Sequence, residues 1–414
     1  MLRILPLDEA QNFITRKAMR LAEAVETVAP ILDAVRKRGD EAVLEYARKF
    51  DGLEGNSIAV TESELRDAEA QVSAEFHSSL ETAAQNIRAF AEIQLPREHW
   101  VQFHDGRRLG HVVRPLDSMG AYIPAGRYPL PSTLLMTAIP AQVASVKTIC
   151  VTSPRPSVEI LAAAKFLNVK NVFRVGGAQA IAALAFGTAT IPKVDRIVGP
   201  GNIYVTAAKK ALAGEVGIDF IAGPTEIVII AEDADPKHLA ADMLAQAEHD
   251  VEASSILLTT SRQLAEQVAR EVARQLEMLP TAPVACQSIR NHSAVILCPS
   301  IDAAVDASNR LAPEHLAIYD EALLPKIQHA GSIFVGPNSP EAAGDYASGP
   351  NHVLPTAGAA RIRGGLSPAD FVKVISVQEL TADGLSRLAP AITTLARAEG
   401  LEAHARSVEV RLGK

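Results

Sequence analysis

The sequence predicts an α/β protein built on two parallel sheets, and three observations predict it. Hydrophobic residues make up 48% of the 414 and aromatics only 4%. That surplus of Ala, Val, Ile and Leu suits helix-and-sheet layers better than a β-sandwich. From about residue 110, short β-branched runs alternate with Ala-rich helical stretches, the pattern of parallel strands joined by helical crossovers. Seven such units exceed one sheet and its covering helices, so two sheets are expected. The length allows two or three domains.

Residues 15–95 come first and read as mostly helical. The stretch "ETVAPILDAVRKRGDEAVLEYARKFDG" carries apolar residues at three- and four-residue steps and meets glycine stops at Gly39 and Gly52. The next helical stretch opens on Thr61 with Glu64 three residues later, a capping box, and stops near Pro96. The strand-like runs then follow: 147–153, 171–175, 195–199, 226–232, 254–260, 292–298 and 331–336. Each of the first six precedes a helical stretch. The final segment, "TADGLSRLAPAITTLARAEGLEAHARSVEVRLGK", reads as helices and a terminal strand. No tandem repeat of 20 to 50 residues occurs.

Composition excludes several functions. Net charge is −8, with no dense Lys/Arg block and no basic-aromatic stripe, which argues against nucleic acid. No apolar run reaches 18 residues and the N-terminus carries no signal-peptide pattern, so no membrane association is expected. The three cysteines, Cys150, Cys286 and Cys298, form no CxxC; Cys150 and Cys298 sit in or beside strand-like runs and read as buried thiols. A soluble cytoplasmic protein is expected.

Several strands end in glycine-rich turns: "GAYIPAGRYPLPST", "VGGAQA", "VGPGNIYV" and "AGPTE". Ligands in open α/β sheets bind outside the strands' carboxyl ends, and "VGGAQA" opens a helix whose N-terminal amides favour a phosphate. No GxGxxG is present, so the turns alone are equally tight turns or nucleotide loops. Gln246 and His249 share one helix face and could start a metal site, or form a solvated helix end. The adjacent pair Glu314–His315 suits acid–base work, or an exposed helix start. Asp345 and His352, seven residues apart in "AGDYASGPNHVLPT", suit a site completed elsewhere, or an Asx turn and a solvated histidine. His404, five residues after Glu399, reads on its own as a surface residue.

Together these phrases carry a resemblance. "GEVGIDFIAGPTEIVIIA…AADMLAQAEHD", "VGGAQAIAALAFGT", "VDRIVGPGN", "NRLAPEHL" and "AGDYASGPNHVLPT" are similar, in the same order and nearly from end to end, to the histidinol dehydrogenases. The resemblance implies a zinc enzyme that oxidises L-histidinol through L-histidinal to L-histidine, reducing two NAD⁺. It implies zinc ligands Gln246, His249, Asp345 and His404, and an acid–base pair Glu314 and His315. It further implies substrate contacts from Thr225, His352 and Glu399 beside those ligands and His315, and NAD contacts from Tyr122, Gln179 and Asn202. The implied fold is two Rossmann-like domains, one inserted in the other, with N- and C-terminal helical extensions. Residues 1–20 form the N-terminal extension, 21–120 and 229–368 the first domain, 121–228 the inserted NAD domain, and 369–414 a dimerisation segment. That last segment is expected to cross to a partner in an intertwined homodimer, where His404 and Glu399 complete the neighbouring site.

The sequence departs from the family's pattern at Ala125 and Asp250, where glycine is common, and at Thr225, where serine is. Three other readings remain at this stage. One is a sulfopropanediol dehydrogenase on the same scaffold. Another is a zinc hydrolase using Glu314, and the third is a metal-stabilised dimeric scaffold.

Overall fold

The computed structural model describes residues 2–14, 21–124 and 128–413. The departure at Ala125 lies outside them. Strand β1 (Arg3–Pro6) opens the chain, and helices fill most of residues 21–94. Strands β2 (His99–Gln102) and β3 (Arg107–Pro115) follow. Next come β4 (Ser118–Tyr122), β5 (Thr148–Thr152), β6 (Asn171–Phe173), β7 (Arg196–Val198) and β8 (Gly217–Ile218). A second series comprises β9 (Glu226–Ile230), β10 (Ser254–Thr259), β11 (Ala294–Leu297), β12 (His315–Ile318) and β13 (Ser332–Val335). Strand β14 (Val372–Leu380) precedes the closing helices Ala382–Ala398 and Glu402–Arg411.

Among the described residues these strands form three sheets. Five parallel strands run in the order β6-β5-β4-β7-β8, and six in the order β1-β11-β10-β9-β12-β13. β14, β3 and β2 make a small antiparallel sheet. The two larger sheets confirm the α/β expectation. Their central strands are buried on both faces, as covered parallel strands are: Ile227, Val228, Ile229 and Ile230 are each at most 1% exposed. Truncating one of them to Ala costs about 2–5 kcal/mol.

In both sheets the first strand of the series lies inside, with strands added on either side. β4 pairs with β5 and β7, and β9 pairs with β10 and β12. The gaps between β4 and β7 and between β9 and β12 are therefore topological switch points. Residues 219–225 link the carboxyl end of β8 to the amino end of β9. This short link brings the carboxyl edge of one sheet toward the amino edge of the other.

The structure differs from expectation in four places. β1, β4, β8 and β12 join the seven anticipated strands in the two parallel sheets: β4 and β12 are short buried runs with no helix-or-strand period of their own, and β1 and β8 are only 4 and 2 residues long. β1 also makes the N-terminal extension part strand, paired in parallel with β11. Among the described residues the expected terminal strand does not form. "SVEVR" lies in the helix Glu402–Arg411, which buries Ala405 and Val408 three residues apart. Finally, the helices of residues 21–94 pack on the five-stranded side, not with the six-stranded sheet with which residues 21–120 were grouped. Leu21–Arg38 packs on Gly177–Phe186 and Ile203–Leu212, Glu62–Gln71 on Val158–Phe166, and Ala74–Gln94 on Pro131–Val143. Among the described residues, no helix is long and apolar enough to cross a membrane.

Candidate active site

A cavity of about 490 Å³ opens at the carboxyl edge of the five-stranded sheet. The segments following β4, β5, β6 and β7 all contribute to its lining: Tyr122 and Pro124, Pro154 and Arg155, Gly177 to Gln179, and Asn202 and Tyr204. This is where the switch-point rule places a ligand. Tyr122, Gln179 and Asn202, read from three separate loops, thus meet in one pocket. Burial pushes the Tyr122 phenol up to about 12, so it stays protonated. Its oxygen accepts the Gly177 N–H at 3.2 Å. Asn202 caps its helix through Oδ1, accepting the amides of Tyr204 and Val205 at 3.0 and 3.1 Å.

The loop before Asn202 is braced from beneath. Gly199 has φ +108, and a Cβ there would collide with the Tyr122 carbonyl oxygen. Its N–H donates to Asp219 Oδ2 at 2.8 Å and its carbonyl accepts from Lys209 Nζ at 2.9 Å. Lys209 and Asp219 also pair directly, both buried. Removing one partner alone leaves a buried charge and costs about 3–5 kcal/mol.

A second cluster lies at the amino edge of the six-stranded sheet. Thr225 immediately precedes β9, Glu314 precedes β12 and His315 opens β12. The helix Pro236–Ala247 runs back against the strands and brings Gln246 and His249 to the same edge. The pair Glu314–His315 is buried, at 6% and 4% exposure, and not the exposed helix start that its sequence also allowed. Asp345 lies on the short helix Glu341–Tyr346, where the sequence suggested a loop. His352 follows in extended chain, with its Nδ1 donating to the Asp345 carbonyl oxygen at 2.7 Å.

Electrostatics separate the acid–base pair. Burial pushes Glu314 up to about 8, aided by the charges of Glu226 and Asp345 and opposed by the Thr225 hydrogen bond. Burial brings His315 down to about 4, with Asp345 acting in opposition. At neutral pH the histidine is therefore neutral and the carboxyl largely protonated. Burial also lowers His352. His249 and Asp345, 3.6 Å apart, move differently. Burial opposes the charge on each, but their mutual attraction prevails, so His249 is raised and Asp345 lowered.

The donors converge. One ligand atom from each of His249, Glu341 and Asp345 lies within 4.8 Å of the others. Gln246 is fully buried beside them, with its carboxamide between Thr225 Oγ1 at 2.8 Å and Glu341 Oε1 at 2.5 Å. Thr225 Oγ1 lies 2.6 Å from Glu314 Oε2. An unbroken chain thus runs Glu314–Thr225–Gln246–Glu341. Its amide orientation follows the protons: if the Thr225 hydrogen points to Glu314, the Gln246 nitrogen faces Thr225 and its oxygen meets a protonated Glu341. Burial raises Glu341 well above the usual carboxylate range, in keeping with that arrangement.

A family model described as histidinol dehydrogenase matches residues 14–412. The chain is 50% identical to histidinol dehydrogenase from Geobacter metallireducens, over 94% of this chain and 92% of that one. It is 48% identical to that from Geobacillus kaustophilus, over 95% of each. The chain belongs to the histidinol dehydrogenase family. The crystal structure of histidinol dehydrogenase from Elizabethkingia anophelis superposes on it with a TM-score of 0.94 at 39% identity, covering 100% of this chain and 98% of that one. As a member of the histidinol dehydrogenases, the chain is an oxidoreductase.

Within this histidinol dehydrogenase chain, Thr225, Gln246, His249, Glu314, His315, Asp345 and His352 come together. Glu399 and His404 do not. Both are exposed, Glu399 just past the helix Ala382–Ala398 and His404 on the helix Glu402–Arg411, and these two helices pack on each other. Asp250 adopts no positive φ; its Oδ1 accepts the Glu252 N–H at 3.0 Å and closes a turn. Sequence reasoning missed Glu341 and Asp51. Glu341 lies one helical turn before Asp345, a spacing that places both on one face. Asp51 lies at the end of "EYARKFDG", where only a helix stop was read.

Proposed function

We propose that this chain oxidises L-histidinol through L-histidinal to L-histidine, the end of histidine biosynthesis, using two NAD⁺ and one zinc ion per subunit. The observation that carries this reading is a pair of facing sites: a cavity at the carboxyl edge of one sheet, and a buried neutral imidazole beside a protonated carboxyl at the amino edge of the other. Two contacts bridge them: Tyr128 Oη donates to the Glu248 carbonyl oxygen at 3.4 Å, and Thr133 Oγ1 lies 3.3 Å from His352 Nε2.

The donor set fits a zinc ion. Imidazole and carboxylate oxygens already converge at His249, Asp345 and Glu341, and imidazole with oxygen donors suits zinc. Gln246, His249 and Asp345 would hold it, with His404 from a second copy. When bound, zinc would hold the substrate's amine and imidazole, and NAD⁺ would accept hydride. His315 takes the hydroxyl proton on Nε2 in the first oxidation. Glu314, once ionised, takes a proton from the water that hydrates the aldehyde, and His315, having passed its first proton to solvent between the two oxidations, accepts the proton of the second. Thr225 positions Glu314, while His352 and Glu399 contact the substrate. Tyr122, Gln179 and Asn202 hold the dinucleotide.

The C-terminal arm supports a homodimer with intertwined ends. Its Val374, Ile375, Leu395 and Val410 are 46–70% exposed, apolar area that a second copy would cover. A cytoplasmic location completes the proposal; Cys150, Cys286 and Cys298 are all free thiols.

The test is NADH formed per L-histidinol consumed, with and without chelator. Two NADH per histidinol, lost on chelation and restored by zinc, are expected. No NADH from histidinol overturns the reading. Sulfopropanediol then tests the related dehydrogenase, and hydrolysis without NAD⁺ tests the zinc hydrolase.

A further inference from the structure

The cavity contains a charged group that none of the roles above uses. Asp51 closes a five-residue π-helical turn, Ala47–Asp51, and such turns recur at functional sites. It is 7% exposed, and with Arg155 it is one of two charged residues among those lining the cavity. Oδ2 accepts the Gly176 N–H at 2.9 Å and the Gln179 Nε2 hydrogen at 3.1 Å. Among the described residues, Oδ1 accepts no hydrogen bond.

Two consequences follow. The amide before the helix Gly177–Phe186 is taken by a carboxylate, and the next by Tyr122. The phosphate seat that "VGGAQA" suggested is therefore filled from within the protein, which accounts for a dinucleotide pocket without GxGxxG. In addition, a second carboxylate oxygen is left at the cavity wall, an acceptor suited to sugar hydroxyls and repellent to a phosphate set directly against it, although Arg155 lines the same cavity.

The half of the dinucleotide that meets Asp51 follows from position. The residues lining the cavity include none of the Glu314–His315 cluster. The nicotinamide must reach that cluster, so the cavity takes the adenosine half. NADP differs from NAD there alone, by a phosphate on the adenosine 2′-oxygen.

We propose that Asp51 is the specificity-determining residue of the nucleotide pocket, holding Gly176 and Gln179 while its free oxygen accepts an adenosine ribose hydroxyl and excludes the 2′-phosphate of NADP. A conventional Rossmann unit assigns this task to an acid about 20 residues after its glycine loop. Here the acid comes from a helical turn outside the sheet. This assignment rests on the reading that the cavity binds NAD.

The test compares full-length wild type, Asp51→Asn and Asp51→Glu in kcat/KM for NAD⁺ and NADP⁺ with histidinol, together with calorimetric binding of each dinucleotide. Wild type is expected to prefer NAD⁺ by at least about 100-fold. Asp51→Asn keeps an acceptor for Gly176 and removes the charge, so the preference drops at least about tenfold. Asp51→Glu keeps the charge and continues to reject NADP⁺ even where its NAD⁺ binding weakens. The assignment is overturned if wild type binds both dinucleotides alike. It is equally overturned if Asp51→Asn loses NAD⁺ affinity with its preference unchanged, because Asp51 is then a structural anchor alone. The wild-type binding data serve even if a variant fails to fold. Wild type that binds neither dinucleotide instead overturns the NAD reading beneath it.

Discussion

His315 Nδ1 lies 3.2 Å from the backbone carbonyl oxygen of Glu226. A carbonyl only accepts, so this contact assigns the ring hydrogen to Nδ1 and the lone pair to Nε2. Among the described residues Nε2 is buried without a hydrogen-bond partner, and Asp345 Oδ1 lies 3.8 Å away. An orphaned basic nitrogen in a buried site is ready for a substrate proton. His315→Asn should lower kcat by about 10²–10⁴ with KM little changed. Steady-state kinetics on histidinol, alongside metal content, checks this; wild-type turnover in the variant removes His315 from the chemistry.

Glu314 acts on the other half of the reaction. With its carboxyl pushed up to about 8, the carboxylate that activates water increases as pH rises. Supplied directly with histidinal, the enzyme should therefore speed up with pH through this range. Glu314→Gln should flatten that limb and slow aldehyde oxidation more than alcohol oxidation. A bound dication lowers a nearby carboxyl's pKa, so the limb should sit at lower pH in the zinc-loaded enzyme than the metal-free value implies. Equal loss in both half-reactions would count against the assignment.

The same shift bears on stability, and its sign is fixed. A carboxyl raised in the folded state binds more protons there than in the unfolded chain, so stability falls as pH rises. The window runs from the ordinary value of 4.5 to about 8 for Glu314, and Glu341 acts in the same direction. His315 and His352, whose lowered values act in the opposite sense below the ordinary histidine value of 6.5, offset this in the lower part of the window, so metal-stripped protein should weaken toward urea as pH rises from 6.5 to about 8. Glu341→Gln should reduce the slope. Denaturation midpoints measured across that upper part decide it, and a slope of opposite sign there refutes it.

Much of this site was legible in the sequence. Glu314, His315, Gln246 and His249 stand out as chemistry-bearing side chains at helix or strand ends, and their phrases carry the family resemblance. The glycine-rich turns point to the carboxyl edge of one sheet. The sequence was silent where function depends on long-range packing. Asp51 serves the pocket from residues outside the sheet, reaching Gly176 and Gln179 across more than a hundred positions. Glu341 gains meaning only because burial places it against Gln246. β12 hid as a fully buried run that periodicity cannot assign. The site's placement on the amino edge of the six-stranded sheet, opposite the usual edge, is likewise a consequence of topology and not of any local motif.

Removing the metal donors tests the zinc reading directly. His249→Asn and Asp345→Asn should each lose bound zinc and nearly all turnover, whereas His315→Asn keeps its zinc. Gln246→Ala also breaks the link between Thr225 and Glu341, so its zinc affinity should fall by at least about 10-fold. Metal content after dialysis against chelator distinguishes these outcomes. Full zinc retention by His249→Asn would remove this cluster as the metal site.

The position of His404 sets the most demanding prediction. It is exposed on the helix Glu402–Arg411, apart from the donor cluster of its own chain. If its role is in a second copy's site, His315→Asn and His404→Asn variants are each inactive alone but complement each other. A mixed dimer has one site lacking both residues and one site lacking neither. Unfolding and refolding the two together at equal amounts should therefore restore about a quarter of wild-type activity, since half the dimers are mixed. Truncation before Ala382 should abolish this rescue. If the mixture stays inactive while each variant remains dimeric, His404 serves its own chain or none, and the C-terminal arm must reach its site by another path.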